Sequence, residues 1–230
     1  MKLPDKSLSL DAAVARIPDG ATVLVGGFGV PGTPFTLLRE LMRQGQKDLT
    51  LVKNDANEAG MGIDHLLANG QVKKLITTHL GLNANAIAMM NDGRLEVEFC
   101  AQGILAERIR AGGAGLSAIL TDIGLETELA EGKQIVEMDG KRLLVEPALR
   151  ADVALIHADR ADPFGNLAYA ATARNFNPAM AMAADLVIAE TERLAPLGGL
   201  SPEEVETPGA FVDQVVRLSE ISEEYGVVRR

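Results

Sequence analysis

Apolar runs and amphipathic segments alternate along the first half of the chain. The apolar runs are short and rich in Val, Ile, Leu and Thr, which is typical of buried strands, and the segments between them repeat apolar residues every three or four positions, which is typical of helices. The predicted strands are 22–25, 49–53, 72–78 and 95–99, and the predicted helices are 11–17, 35–43, 62–68, 83–90 and 104–110. A repeated strand–helix order predicts a mainly parallel sheet with helices on both faces.

The second half of the chain departs from this order. Two apolar runs, 134–138 and 142–146, flank Asp139-Gly140, and Asp-Gly between two such runs is a strong hairpin signal. Two further strands and a helix between them are predicted at 152–157, 186–190 and 178–184. No linker, repeat or low-complexity segment interrupts the sequence. We therefore predict an α/β fold with an open, mainly parallel sheet, a small antiparallel hairpin extension and a single domain over 1–230.

The most unusual stretch follows the first predicted strand. Glycine occupies positions 26, 27, 29 and 32, and glycine leaves the backbone bare and able to adopt conformations that other residues avoid. We expect Thr33 to cap the next helix, with Pro34 at its first position. A strand, a bare loop and a helix N-terminus together predict a site for an anionic group. The alternative is a tight turn in which the glycines serve packing alone.

The overall charge restricts the classes of partner. The chain of 230 residues has a formal net charge of -10 and 3% aromatic residues, which argues against general binding to nucleic acid or to an anionic membrane surface. Cys100 is the single cysteine, which excludes an internal disulfide and fits a reducing compartment. We find no signal-peptide pattern and no run of the roughly 18 apolar residues that a membrane helix needs, so we expect a cytoplasmic protein.

A dinucleotide-binding motif is one interpretation of the glycine stretch. Residues 27–32 read Gly-x-Gly-x-x-Gly after a predicted strand, and Asp55 follows the second strand, where an acid would bind a ribose. Pro31 and Pro34 stiffen the segment in which the helix of this motif begins, and Asp55 lies in a polar cluster. An NAD(P)-dependent oxidoreductase remains an alternative on the motif alone.

Metal binding and nucleophilic catalysis have little support in the sequence. His65, His79 and His157 are far apart and show no metal-ligand spacing, so each is interpreted as a structural residue. Cys100 follows a predicted strand and is interpreted as a core residue. We therefore predict no metal site.

Two polar segments in the second half are assigned no chemistry. Residues 174–178 read Arg-Asn-Phe-Asn-Pro, and the asparagine before the proline is interpreted as a helix cap. Glu190 and Glu192 are interpreted as the solvated end of a strand.

The opening segment resembles the signature of family I coenzyme A-transferases, in the chain of the heteromer that is called alpha or A. The signature is Asp-Gly, three apolar residues, Gly-Gly-Phe and then Gly-x-Pro, found here at 19–20, 23–25, 26–28 and 32–34. Further blocks similar to the family lie at 102–115, 152–156, 165–167, 173–178 and 207–209. Residues 54–55 and 81–83 are most similar to the short-chain acyl and acetoacetate (3-oxoacid) transferases of bacteria.

The resemblance implies a ping-pong reaction. In the family, a glutamate of the beta subunit, in a Ser-Glu-Asn-Gly context, accepts the acyl group and then CoA as a glutamyl-CoA thioester. This sequence contains no Ser-Glu-Asn-Gly, so the resemblance implies a heteromer with a beta subunit, of two alpha and two beta subunits or larger. It also implies acyl-CoA and a small carboxylate as substrates, CoA as co-substrate, no tightly bound cofactor, and a place in short-chain fatty acid or ketone body metabolism.

The resemblance assigns substrate binding, and no catalytic residue, to this chain. The expected binding residues are Gly27, Phe28, Gly29, Val30, Pro31, Gly32, Asn54, Asp55, Gln102 and Gly103. A non-catalytic domain that senses a sugar phosphate on the same strand–loop–helix platform is the third hypothesis.

Overall fold

The computed structural model describes residues 5–228, and these residues form two sheets. The strands in chain order are β1 (Thr22–Val25), β2 (Leu49–Val52), β3 (Val72–Thr77), β4 (Glu96–Phe99), β5 (Ala118–Thr121), β6 (Ile135–Met138), β7 (Lys141–Pro147), β8 (Ala151–Ala161), β9 (Leu167–Ala168), β10 (Ala184–Leu194) and β11 (Gln214–Arg217). The helices are α1 (Leu10–Val14), α2 (Phe35–Gln44), α3 (Asp64–Ala68), α4 (Ala84–Asn91), α5 (Gln102–Gly113) and α6 (Asn177–Met182).

The larger sheet is parallel apart from one short strand. Its order is β11-β10-β8-β1-β2-β3-β4, and β9 pairs with β8 in the antiparallel direction. In the centre, Val23 of β1 lies between Leu51 of β2 and Val153 of β8. Strands buried on both faces are continuous apolar runs, and this explains why the sequence pattern predicts the parallel sheet correctly.

Helices cover both faces of this sheet, as predicted. Helices α1 to α4 pack on one face, where Leu37, Leu38 and Leu41 of α2 are fully buried among strand residues. Helices α5 and α6 pack on the other face and contact each other. Among residues 5–228, none of these helices combines the length and the apolar character that crossing a lipid bilayer requires.

The smaller sheet is the predicted antiparallel extension with one additional strand. Strands β6 and β7 form the hairpin around Asp139 and Gly140, whose φ angles of 52° and 73° are those of a type I′ turn. Strand β5, which the sequence pattern does not predict, pairs with the other edge of β7. The extension is therefore a three-stranded sheet.

The winding of the chain reverses between β1 and β8. From β1 the chain builds β2, β3 and β4 to one side, and after the extension it returns to place β8, β10 and β11 on the other side. Ligands of open α/β sheets bind at the carboxyl edge of such a reversal. The loop that follows β1 lies at this position.

Candidate functional site

A loop of residues 26–33, the glycine loop, leaves the carboxyl end of β1. A Cβ on Gly32 would lie 2.3 Å from the carbonyl oxygen of Ala173, and one on Gly27 would lie 2.7 Å from the Cα of Thr33. Both positions therefore require glycine for close packing. Gly29 differs, because its φ is +59° and nothing lies within 4 Å of its added Cβ. The glycine loop is thus packed on one side and open at Gly29.

Side chains hold both ends of the Gly29 residue. Its amide donates to Asp55 Oδ2 at 2.8 Å. Its carbonyl accepts from Asn57 Nδ2 at 2.9 Å and from Thr33 Oγ1 at 2.7 Å. The predicted cap is therefore wrong: Pro34 is the N-cap of α2, and the Thr33 hydroxyl bonds back into the loop. The open position of the glycine loop is rigidly oriented.

A buried ion pair lies beneath the glycine loop. Lys53 is fully buried, and its Nζ lies 3.3 Å from Asp55 Oδ1. Burial lowers the pKa of Lys53 against the opposing effect of Asp55. Burial raises the pKa of Asp55, but Lys53, the Asn54 side chain and the amides of Gly29 and Asn57 outweigh it and leave this pKa below its usual value. Asp55 therefore stays ionised and acts on the loop as a fixed acceptor.

A line of hydrogen bonds runs from Asp55 to the start of α5. Asn54 Nδ2 donates to Asp55 Oδ2 at 2.9 Å, and Asn54 Oδ1 accepts from Gln102 Nε2 at 2.8 Å. Asn54 is fully buried, whereas Gln102 and Gly103 are exposed at the N-terminus of α5. Together with the bond from the Gly29 amide to Asp55, this line joins residues that follow β1, β2 and β4, because the carboxyl ends of parallel strands share one edge of the sheet.

Two asparagines close the other side of the glycine loop. Asn175 Nδ2 donates to the carbonyl of Pro31 at 2.9 Å, and Asn177 Nδ2 donates to that of Gly32 at 3.2 Å. Sequence reasoning interpreted Asn177 as a cap, but Phe176 occupies the N-cap of α6. Only the tertiary fold brings these residues to the loop. Phe28 remains 47% exposed, and Gly29, Val30 and Pro31 are half-buried.

The N-terminus of α2 already holds an anion. Glu190 is fully buried, and its Oε2 accepts the amide of Leu37, in the first turn of α2, at 2.9 Å. The interpretation of Glu190 as a solvated strand end is therefore wrong. A dinucleotide fingerprint places a pyrophosphate at this helix end, and the carboxylate of Glu190 occupies that position here.

His157 and Cys100 are both buried. His157 is buried with Nδ1 at 2.9 Å from Glu190 Oε1 and Nε2 at 3.4 Å from Glu192 Oε1. Burial lowers the pKa of His157, but both carboxylates outweigh it and raise it to about 9. Cys100 is buried, and burial raises its pKa. Within residues 5–228, no group of three or more His, Cys, Asp or Glu side chains is placed to hold a metal ion.

Comparison with known proteins adds an independent line of evidence. The family model described as Coenzyme A transferase matches residues 7–218. The chain is 51% identical over 213 residues to the alpha subunit of a probable coenzyme A transferase of Bacillus subtilis, covering 92% of this chain and 93% of the relative. It is 44% identical over 211 residues to the alpha subunit of the acetate CoA-transferase of Escherichia coli, covering 92% and 96%.

A solved structure shares the fold. The acyl-CoA transferase of Escherichia coli, in a thioester complex with CoA, superposes with a TM-score of 0.85 and 25% identity, covering 98% of this chain and 49% of that one. The family match gives no support to the nicotinamide oxidoreductase or sugar-phosphate-sensing hypotheses. The chain therefore belongs to the coenzyme A transferase family, and it is a CoA-transferase subunit of the alpha (A) type.

Proposed function

We propose that this chain is the alpha subunit of a heteromeric enzyme that moves CoA between an acyl-CoA and a short-chain carboxylic or 3-oxo acid. One observation carries the proposal: the glycine loop is held rigidly with Gly29 open, and a continuous hydrogen-bonded line connects it to the exposed Gln102. The acetate CoA-transferase among the relatives supports a short-chain acid as substrate.

The nucleophile is proposed to come from a beta subunit. In this scheme a glutamate carboxylate of the partner attacks the thioester carbonyl, and the carbon–sulfur bond breaks. CoA departs as a thiolate, and the acyl group is now joined to the glutamate as a mixed anhydride. The thiolate then attacks the glutamyl carbonyl, which releases the first acid and forms a glutamyl-CoA thioester. The acceptor acid then attacks the glutamyl-CoA thioester and displaces CoA thiolate, which forms a second mixed anhydride. The thiolate attacks the acyl carbonyl of that anhydride, which releases the glutamate and the new acyl-CoA. The absence of Ser-Glu-Asn-Gly from this sequence and the thioester complex of the structural neighbour support this assignment.

Gln102 is the side chain of this chain best placed to meet the reacting oxygen. An amide group has two N–H donors, and one of those on Gln102 is bound to Asn54 Oδ1. The Asn54 amide is itself oriented, because its Nδ2 donates to Asp55. The bond to Asn54 therefore fixes the Gln102 amide and leaves its second N–H to stabilise the oxyanion that forms on the carbonyl.

The glycine loop is proposed to hold the carboxylate of the acid. Residues 27–32 and Gly103 supply backbone at the carboxyl edge of the sheet, and only Phe28, Val30 and Pro31 among them carry side chains. Asp55 acts through the Gly29 amide and Asn54 through Gln102, so both orient the site from beneath it. The net charge of -10 gives no general attraction for an anionic substrate, and local donors must supply it.

The remaining expectations are part of the same proposal. Residues 1–230 act as one CoA-transferase domain of the alpha (A) type, in a cytoplasmic assembly of two alpha and two beta subunits or larger. CoA is a co-substrate, and the contacts with its nucleotide are assigned to the partner. No metal, nucleic acid or membrane takes part.

Reconstitution with the partner chain tests the proposal. The chain alone is expected to show no CoA transfer, and the mixture is expected to transfer CoA from acetoacetyl-CoA to acetate. Gln102→Ala should lower kcat by about 100-fold, the effect of removing one oxyanion donor. Gln134→Ala, a change of an exposed glutamine next to β6, is the matched control. Turnover by the chain alone, or a full rate in Gln102→Ala, would contradict the proposal.

A further inference from the structure

The end of the described chain packs against the glycine loop. A 3-10 helix, Glu223–Val228, follows β11 and the turn after it. Its Tyr225 is 6% exposed, although the neighbouring Glu223 and Gly226 are exposed. Residues 222–226, here named the C-terminal strap, therefore insert the large side chain of Tyr225 into the protein.

Tyr225 is fixed by contacts around its ring and at its hydroxyl. The ring meets Phe35 edge-on with centroids 4.8 Å apart, and the His157 ring lies 4.9 Å away. The hydroxyl donates to the carbonyl of Thr33, the last residue of the glycine loop. Burial, together with the carboxylates of Glu190, Glu192 and Glu224, holds the pKa of Tyr225 well above its usual value. The hydroxyl therefore remains a donor.

Thr33 connects Tyr225 to Gly29, the open position of the glycine loop. It is fully buried, and its Oγ1 donates to the carbonyl of Gly29 at 2.7 Å. Tyr225 fixes the backbone of Thr33, while the side chain of Thr33 fixes Gly29. Asp55 holds the other end of the Gly29 residue, so Gly29 is held by Asp55 beneath the glycine loop and, through Thr33, by the C-terminal strap.

A second residue of the C-terminal strap, Glu224, binds next to Asn57. Glu224 Oε2 accepts the amide of Gly62 at 2.7 Å, and its Oε1 pairs with Arg39 at 2.7 Å. Gly62 packs directly on Asn57, because an added Cβ would lie 2.3 Å from Asn57 Oδ1. Asn57 is the residue that donates to the Gly29 carbonyl. The strap thus bonds directly to Thr33 and is linked to Asn57 only through Gly62.

We propose that Tyr225 is a positioning residue for CoA transfer, and that the hydroxyl of the C-terminal strap sets the geometry of the glycine loop through Thr33. This inference rests on the proposed function, because it requires the glycine loop to hold the substrate acid. Tyr225 acts through the loop and does not touch the substrate. A displacement of the reacting groups by an ångström is enough to lower a rate substantially.

The chain provides a matched control for the hydroxyl. It has two tyrosines, and the other, Tyr169, is half-buried, with its hydroxyl 2.7 Å from Thr207 Oγ1. Tyr225→Phe and Tyr169→Phe each remove one hydrogen-bonded hydroxyl and keep the ring. Only the first removes a contact with the glycine loop. A purely structural role predicts similar effects of the two changes.

The test uses both variants in the complex reconstituted with the partner chain. We expect the midpoints of thermal unfolding of Tyr225→Phe and Tyr169→Phe to be similar to each other. In Tyr225→Phe, kcat/KM for the acceptor acid should fall about tenfold, since one oriented contact is lost, and KM for the acyl-CoA donor should change less. Hydrogen–deuterium exchange of the peptide over 27–33 should be faster in Tyr225→Phe. Tyr169→Phe should change neither readout.

Two results distinguish the positioning role of Tyr225 from the proposed binding of the acid by the glycine loop. If Gly29→Val loses its rate while Tyr225→Phe keeps wild-type kinetics and loop exchange, the positioning role is wrong and the role of the glycine loop stands. If Gly29→Val itself keeps the full rate, the loop does not hold the acid and the proposed function fails first. A matching loss of stability in both tyrosine variants, with no kinetic difference, would also overturn the positioning role.

Discussion

Replacing Asp55 by asparagine tests whether a buried charge supports the glycine loop. In the folded chain the carboxylate of Asp55 accepts from the amides of Gly29 and Asn57 and from the side chain of Asn54, and it pairs with Lys53. Asparagine has nearly the same shape but only one acceptor oxygen. Its NH2 group would face an N–H donor, and the buried ammonium of Lys53 would lose the carboxylate with which it pairs.

The expected magnitude follows from the burial of Lys53. Removing one partner of a buried ion pair costs about 3–5 kcal/mol, because the remaining charge is uncompensated. A domain of this size is stable by about 5–15 kcal/mol in total. At about 2–4 °C per kcal/mol, the thermal midpoint of Asp55→Asn should fall by about 6–20 °C. Activity in the complex should fall as well, because Gly29 loses its anchor.

The double variant Lys53→Met/Asp55→Asn tests whether the loss of stability in Asp55→Asn comes from the unpaired charge of Lys53. Removing the lysine charge as well leaves no unpaired charge at this position, so the double variant should be more stable than Asp55→Asn by about 2 kcal/mol. Urea and thermal unfolding of the purified wild-type chain and both variants, followed by circular dichroism, measure these differences. A midpoint unchanged in Asp55→Asn, or a double variant less stable than the single one, would refute the reasoning.

Acid unfolding provides a second readout of the same carboxylate. The pKa of Asp55 lies below its usual value in the folded chain. Its contribution to stability is therefore complete above the unfolded value of 3.8 and is lost as the pH falls through the lower folded value. Asp55→Asn should remove this contribution and flatten the stability profile in that acidic range.

Three further changes address the loop and its neighbours. Gly29→Val should keep the fold, because no atom lies within 4 Å of a Cβ there, yet the φ of +59° is unfavourable for valine and activity in the complex should fall at least about tenfold. Gly32→Ala places a Cβ 2.3 Å from the Ala173 carbonyl, so its yield and thermal midpoint should drop sharply. The pKa of His157 is raised from 6.5 to about 9, so its stabilising contribution is present below pH 6.5 and is lost as the pH rises through about 9. Urea unfolding between pH 6 and 10 should show this loss in the wild type and not in His157→Gln.

The sequence pattern predicts most of the sheet because buried parallel strands are continuous apolar runs. It predicts the hairpin because Asp139 and Gly140 favour the positive φ angles that the turn adopts. Strands β5, β9 and β11 are missed: they have four, two and four residues, and none of them belongs to the regular strand–helix order of the first half. Short strands of this kind are defined by their neighbours in the sheet and not by their own composition.

The candidate site is only partly predictable for a related reason. The bare glycine loop is evident in the sequence, and the resemblance indicates Asn54, Asp55 and Gln102. The side chains that hold the loop from the other side, among them Asn175 and Tyr225, lie more than 140 residues away along the chain. No local pattern links such distant positions, so their role becomes visible only in the folded structure.

The most direct test is a crystal structure of this chain in complex with its partner and a short-chain acid. We expect the carboxylate of the acid against residues 29–32, the Nε2 of Gln102 within hydrogen-bond distance of the same ligand, and a glutamate of the partner facing it from the opposite side. An acid bound elsewhere, or a glycine loop that faces away from every glutamate of the partner, would contradict the account.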